Sequence, residues 1–150
     1  MNARTKEAQR FLQGVQRSLQ RIDATRMRIR QYECLATGVT QSLSPDKVST
    51  SSGGQGNIEN AVVAILDLRD QMVADVFDLV EKYNSAKTMI AQLTDERERL
   101  VLEMRYLGWH PESWTRIMGY LHLERSQSFA VHQSALEHIA DMMELNENGD

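Results

Sequence analysis

The sequence predicts an all-α protein built from a long antiparallel helical hairpin or coiled coil and a compact helix-turn-helix head. Only two prolines interrupt the 150 residues, which leaves long segments in which helices can continue. Apolar residues in two of these segments recur at steps of three and four, as on one face of a helix. No apolar run approaches the roughly 20 residues of a membrane helix, so we expect a soluble, cytoplasmic protein without a membrane partner.

The first predicted helix runs from about residue 3 to residue 36 and ends near Gly38. Its apolar residues recur at steps of 3, 4, 3 and 7, and Arg26 occupies the position at which the series is interrupted. Residues 1–31 carry a net charge of +6, so this helix is strongly basic. We expect it to pack along its length through a seam of Leu12, Val15, Leu19, Ile22 and Ile29.

A stretch rich in Ser, Thr and Gly follows at residues 37–57 and lacks apolar periodicity. Compositions of this kind form flexible connectors, so we expect a linker of about twenty residues. Such a linker is long enough for the segments on its two sides to pair within one chain or with a partner chain.

The second long helix carries the most regular apolar pattern of the chain, over about ten turns. Acidic residues accompany the pattern, and residues 58–93 carry a net charge of −3. Antiparallel pairing with the basic first helix would match apolar faces and opposite charges, and a partner chain could supply the same face. We therefore treat residues 1–93 as one domain and expect homo-oligomers through the long helices, with intramolecular and intermolecular pairing both open. The seam consists of Ile58, Ala61, Ile65, Leu68, Met72, Val76, Leu79, Tyr83, Ala86, Ile90 and Leu93.

A compact head of three shorter helices is predicted at residues 94–145. The run Thr94-Asp95-Glu96 is typical of a capped, acidic helix start, which indicates a break after Leu93. The three helices are expected to end at Gly108, to span Ser113 to Leu121, and to run from Glu124 or Arg125 to about Leu145, with a disordered tail at residues 146–150.

No pattern in the sequence indicates an enzyme, a metal site or a cofactor. The four histidines lack the i, i+4 pairing and the Cys/His clusters that bind one ion, and Cys34 is the only cysteine. The run SSGGQGN lacks the Lys-Ser/Thr of a phosphate-binding loop, and no strand is predicted before it. The acidic residues fall on predicted solvated helix faces, where no two carboxylates converge on one reacting atom. We therefore expect a non-catalytic protein.

The second and third helices of the head have the spacing of a helix-turn-helix, which places the first turns of the later helix against base edges of double-stranded DNA. Arg pairs with guanine, Gln pairs with adenine, and an apolar ring can contact a thymine methyl group. Side chains of the earlier elements would contact phosphates. The candidates for base contacts are Arg125, Ser126, Gln127, Phe129, Ala130 and Gln133, and those for phosphate contacts are Arg105, Ser113, Thr115, Arg116 and His132.

The charge of the head favours a second interpretation. Residues 94–150 carry a net charge of −6, whereas phosphate contacts are made chiefly by Lys and Arg. The same apolar spacing is expected of an acidic helical cap that contacts no nucleic acid. The alternative is a non-catalytic structural or adaptor protein whose helices bind a protein partner.

The chain resembles the small bacteriophage transcriptional regulators of the ArpU/RinA type, whose carboxyl-terminal part is similar to the fourth conserved region of sigma factors. The resemblance implies a bracing helix at residues 113–121 and a recognition helix at residues 125–139. It also implies activation of phage late or packaging genes through promoter DNA and host RNA polymerase, in the cytoplasm of a bacterial cell. The residues that carry the resemblance are Asn60-Ala61-Val62, Leu102, Arg105-Tyr106-Leu107, Ser113-Trp114, Ile117, Leu121, His132 and Ala135-Leu136.

Two positions of the third head helix depart from the family pattern. Ser128 stands where the pattern has Val, and the apolar Phe129 is adjacent to it. The sequence therefore leaves open whether the buried positions of this helix are shifted by one residue. Glu124 stands where a Ser cap is usual, so a weaker cap is expected.

Overall fold

The computed structural model describes residues 1–41 and 51–149, and these residues contain helices and no β-strand. The all-α class is therefore confirmed. None of the helices in these ranges carries an apolar stretch long enough to cross a lipid bilayer. The helices are α1 (Ala3–Gln41), α2 (Ser51–Ala91), α3 (Glu96–Leu102), α4 (Trp114–Leu121) and α5 (Arg125–Asn148), with a π-helical segment at Glu103–Leu107 directly after α3.

Helix α1 begins at a side-chain cap. The Oδ1 atom of Asn2 accepts hydrogen bonds from the backbone N–H and the hydroxyl of Thr5, each at 2.8 Å, which satisfies a backbone donor that the helix itself leaves open. Arg26 stays exposed, and the neighbouring Thr25 is buried instead and donates its hydroxyl to the Arg21 carbonyl at 3.1 Å. The predicted seam is confirmed, because Leu12, Val15, Leu19, Ile22 and Ile29 are all buried.

The helices α1 and α2 pack together, so the pairing that the sequence left open occurs within the chain. Contacts divide the chain into one unit of residues 1–20 and 78–150 and another of residues 21–77. The start of α1 and the end of α2 thus belong to the same unit, as expected for two helices that pair in opposite directions. In the unit of residues 21–77, Arg69 Nη2 of α2 lies 3.4 Å from Glu33 Oε1 of α1. In this ion pair α2 supplies the positive charge and α1 the negative charge, which is the reverse of the expected pairing of a basic α1 with an acidic α2.

Both long helices extend into the predicted linker. Helix α1 continues to Gln41 and α2 already begins at Ser51, while residues 42–50 lie outside the described residues. The sequence-based prediction underestimated the lengths of both helices because it relied on the Ser, Thr and Gly composition of residues 37–57. Once a helix is nucleated, each added residue gains a backbone hydrogen bond, and an isolated glycine costs only about 1 kcal/mol.

The starts of α3 and α4 agree with the prediction. Asp95 caps α3, with Oδ1 accepting a hydrogen bond from the Arg97 backbone N–H at 2.9 Å. Ser113 caps α4, with Oγ accepting from the Arg116 backbone N–H at 3.3 Å. Both caps satisfy backbone donors at helix ends and so fix where each helix begins. The end of the first head helix at Gly108 is also confirmed, although its last turn is π-helical.

Helix α5 forms the centre of the head, because both α3 and α4 pack against it. One cluster of fully or largely buried side chains consists of Val101, Ile117 and Leu121, with Trp114 and Val131 among the residues packed against it. Full burial of each large aliphatic side chain contributes about 1.5–3 kcal/mol. The inner face of α5 is as predicted, with Ala135, Leu136 and Ile139 inaccessible to solvent and Val131 and Met143 partly buried.

The end of the chain and the domain boundary differ from the prediction. Helix α5 continues to Asn148, so residues 146–148 are helical and not a disordered tail; Asp150 lies outside the described residues. Contacts also do not divide the chain at residues 93–94. Arg4 of α1 pairs with Asp141 of α5 at 2.8 Å and also with Glu144, which ties the start of the chain to the head.

The register of α5 is not slipped, because Ser128 is fully buried and Phe129 is 38% exposed. The Ser128 hydroxyl has no hydrogen-bond partner among the described residues.

Replacing Ser128 by Ala is therefore expected to stabilise the protein by about 1 kcal/mol, because an unsatisfied buried hydroxyl costs about 1–3 kcal/mol. Urea unfolding of Ser128→Ala measures the change. The exposed Ser126→Ala is the matched control and corrects for helix propensity. A loss of stability in Ser128→Ala relative to this control would contradict the prediction.

Candidate nucleic-acid interface

The turn between α4 and α5 consists of residues 122–124 and is tight. His122 has φ 54° and ψ 40°, the left-handed conformation that ends a helix sharply. The Leu123 backbone N–H donates to the Met118 carbonyl at 3.3 Å. The Glu124 backbone N–H donates to Gln127 Oε1 at 3.2 Å, so Gln127 forms part of the amino-terminal cap of α5. The sequence predicted a weaker cap at this end because Glu124 stands in place of Ser. The order of α4, a three-residue turn and α5 matches the element order and turn length of a helix-turn-helix unit.

Five of the six predicted base-contacting residues are exposed in the first turns of α5. Arg125, Ser126, Gln127, Phe129 and Ala130 are all exposed there. The Arg125 guanidinium lies 5.3 Å from the centre of the Phe129 ring, a cation–π contact that orients the arginine. The Phe129 ring in turn packs edge-on against Trp114 of α4 at 4.6 Å. The two helices thus hold Phe129 and Arg125 in a defined position.

The two glutamines of this set already have intramolecular partners. Gln127 Oε1 accepts from the Glu124 backbone, as described above. Gln133 is half-buried and donates its amide N–H to Glu137 Oε1 at 3.1 Å. Arg125 is thus the candidate base contact with a charged group at the exposed start of α5.

Three of the predicted phosphate contacts lie on the exposed surface of α4. Ser113, Thr115 and Arg116 are exposed around the amino-terminal turn of this helix. Arg116 Nε lies 3.7 Å from Glu112 Oε2, a solvent-exposed pair that water and salt screen strongly. An anion at this position would therefore compete with the Glu112 carboxylate for Arg116.

Arg105, another predicted phosphate contact, has an internal role. Its Nη1 donates to the Glu112 carbonyl at 2.8 Å, and its guanidinium lies 5.1 Å from the centre of the Trp114 ring. Its Nε is buried and has no hydrogen-bond partner among the described residues. Arg105 thus joins the π-helical segment to α4.

His132 lies in the aromatic cluster between the same elements. Its Nε2 is 2.8 Å from the Tyr106 hydroxyl, and its ring packs edge-on against Trp114 at 5.2 Å. Burial, with a smaller contribution from the charge of Arg105, lowers the pKa of His132 to about 4. Burial also raises the pKa of Tyr106, so at neutral pH a protonated hydroxyl faces an uncharged imidazole that can accept its hydrogen bond. His132 therefore carries no positive charge for a phosphate at pH 7.

Sequence reasoning missed a buried polar cluster that joins α3 to α5. Glu98 is 4% exposed, and its Oε1 accepts a hydrogen bond from the Ser134 hydroxyl at 2.6 Å. Its Oε2 lies 2.7 Å from His138 Nδ1, and this hydrogen bond raises the pKa of His138. Ser134 and His138 share one face of α5 because they are four residues apart. That spacing was visible in the sequence, but nothing in it identified Glu98 as their partner on another helix.

No group of three or more His, Cys, Asp or Glu side chains in the described ranges could hold a metal ion. No protein-family model matches the chain, and searches of curated proteins and of solved structures return no match either.

Proposed function

We propose that the protein is a sequence-specific DNA-binding transcriptional regulator without catalytic activity. The observation that carries the proposal is the exposed start of α5, where Arg125 is oriented on Phe129 directly after a tight three-residue turn. In helix-turn-helix proteins this position enters the major groove, and an arginine there can bond to the O6 and N7 atoms of guanine. Ser113, Thr115 and Arg116 would contact the flanking phosphates, as donors on the earlier helix.

The resemblance to phage regulators of the ArpU/RinA type extends this proposal. It assigns the DNA to promoters of late or packaging genes and adds host RNA polymerase as a partner, in the cytoplasm of a bacterial cell. The net charge of −6 on residues 94–150 limits the affinity of one head, because phosphate contacts supply much of the binding energy. Self-association through the long helices would bring two heads to one DNA and raise the effective affinity.

Capture of genomic fragments by the purified full chain, at low and at near-physiological salt, tests the proposal. We expect enrichment of one promoter-proximal sequence that survives the higher salt, since counterion release weakens non-specific binding most. Absence of enrichment at both salt concentrations would contradict DNA binding.

Substitution of Arg125 and Arg116 by Ala is expected to have different effects on binding to the captured sequence. Arg125→Ala should weaken specific binding by about 1–3 kcal/mol and relax the preference for one base. Arg116→Ala should weaken binding to all DNA sequences about equally and lower the slope of log affinity against log salt concentration by about one. Arg97→Ala is the control, because it removes one exposed positive charge from α3. Equal effects of all three substitutions would reject the assigned roles.

The adaptor interpretation is the second candidate. It is favoured by the acidic charge of the head and by large apolar side chains that remain exposed on α2, such as Phe77 at 78%. If fragment capture fails, a protein bound by the full chain would become the expected partner.

A further inference from the structure

A polar cavity of about 310 Å³ lies between α1 and the π-helical segment, within the unit of residues 1–20 and 78–150. Ligand cavities in proteins span roughly 300–1,000 Å³, so this one suits a small molecule. The side chains that α1 contributes recur at steps of four, three and one, which places them on one face of the helix. The polar residues that line the cavity are Gln9, Gln13, Gln16 and Arg17 of α1 and Arg105 and Tyr106 of the π-helical segment.

Gln16 is a buried polar side chain whose hydrogen-bond partners the described residues do not supply. It is 6% exposed, and neither its amide nitrogen nor its amide oxygen has a partner among these residues. A buried amide without partners is destabilising, and the large majority of buried polar side-chain atoms in proteins are paired. Gln16 therefore offers both donors and an acceptor to a molecule in the cavity.

The charge of the cavity is positive. Arg17 is exposed, and Arg105 contributes a second guanidinium. Although Arg105 Nη1 donates to the Glu112 carbonyl, its buried Nε has no partner among the described residues. None of the described Asp and Glu residues lines the cavity. Guanidinium N–H groups form their strongest hydrogen bonds with oxyanions, so the cavity favours an anion with several oxygen acceptors.

The amide oxygen of Gln16 adds a second requirement for the ligand. This oxygen only accepts hydrogen bonds, so the ligand needs an O–H or N–H group beside its anionic oxygens. The phosphodiester groups of DNA carry acceptors and no donor, and they meet only the first requirement.

From the unpaired amide and the two guanidinium groups we propose that this cavity binds a small oxyanion that also carries a hydrogen-bond donor. Hydrogen phosphate and a hydroxylated carboxylate share this chemistry. The proposal does not rest on DNA binding, because the cavity is described by α1 and the π-helical segment and not by the start of α5.

Isothermal titration calorimetry of the full chain at pH 7 with two matched pairs of anions tests the ligand class. Hydrogen phosphate has an O–H donor that sulfate lacks, and malate has a hydroxyl that succinate lacks. In at least one pair the member with the donor should bind about tenfold more tightly than its counterpart, because it alone can pair with the Gln16 amide oxygen.

The outcomes of this titration are distinct. A preference within the phosphate pair alone would assign a phosphoryl ligand, and a preference within the malate pair alone would assign a carboxylate ligand. Absence of binding by all four anions up to about 10 mM, or equal binding within both pairs, would overturn the proposal.

Substitution of Arg17 tests the charged part of the site. Arg17→Ala should weaken binding of the preferred anion about tenfold, because it removes one of the two guanidinium groups. Arg10→Ala is the matched control, since it removes the same charge from an exposed position of α1 that does not line the cavity. Equal weakening by both substitutions would indicate only a general attraction of anions to the basic helix and would reject the site.

Substitution of Gln16 separates ligand binding from folding. Leucine has a similar size and no polar atoms, so Gln16→Leu should unfold at a higher urea concentration than the parent. The same variant should bind the anion with the donor no more tightly than its counterpart. A Gln16→Leu chain that keeps the preference of the parent would reject the role of the amide.

Discussion

Acidification from pH 7 to pH 4 is expected to lower the free energy of unfolding by about 3 kcal/mol through His132 alone. In the folded chain, burial lowers the pKa of His132 from 6.5 to about 4. Below pH 6.5 the unfolded chain therefore binds a proton that the folded chain does not bind. Stability falls as the pH drops through this window, and the loss is complete once the pH is below about 4.

Urea unfolding of the parent and of His132→Gln at several pH values between 7 and 4 measures this effect. A glutamine stays neutral throughout, and its side-chain oxygen can accept the Tyr106 hydroxyl in place of His132 Nε2. The difference between the two proteins removes the contribution of the carboxylates, which titrate in both. The prediction fails if parent and variant lose the same stability over this range.

Replacement of Glu98 by Ala is expected to destabilise the protein by about 3 kcal/mol. The substitution removes the acceptor of the Ser134 hydroxyl and the partner of His138, and it empties a site that is 4% exposed between α3 and α5. The energy comes mainly from the buried side of the cluster, because the His138 side chain is 53% exposed and water can replace its partner. Urea unfolding at pH 7 measures the loss.

The exposed Glu96 of the same helix provides the control, since Glu96→Ala removes a carboxylate without a buried contact. In Glu98→Ala the pKa of His138, followed by NMR, should also return towards its ordinary value. The contribution of the His138–Glu98 contact to stability has the opposite pH dependence to the contribution of His132. Because the folded-state pKa of His138 is raised, its stabilisation is complete below pH 6.5 and disappears as the pH rises through the folded value. Similar costs for the two Glu→Ala variants would show that the buried cluster contributes little.

Local sequence signals predicted the helices and most of their ends. The Ser113 and Asp95 caps, the seam of α1 and the inner face of α5 all follow from side-chain type and spacing within one element. The length of the linker was overestimated because composition does not register how far a nucleated helix continues. The extension of α5 to Asn148 was missed for the same reason.

The candidate site was only partly predictable. Exposure of Arg125 and Phe129 at the start of α5 follows from the helical period once Ser128 is known to point inward. The sequence could not place Arg105 over Trp114 or His132 against Tyr106, because these contacts join different elements. Two predicted phosphate contacts therefore have internal partners.

The sequence by itself determined the all-α class, the apolar seam of α1 and the caps of α3 and α4, because each depends on neighbours within one or two helical turns. Only the tertiary structure decided that α1 and α2 pair within the chain, that Glu98 meets Ser134 and His138, and that His132 is buried and uncharged at neutral pH. These features depend on which helix faces which, and the burial that shifts a pKa or makes a hydrogen bond valuable exists only after the helices have packed.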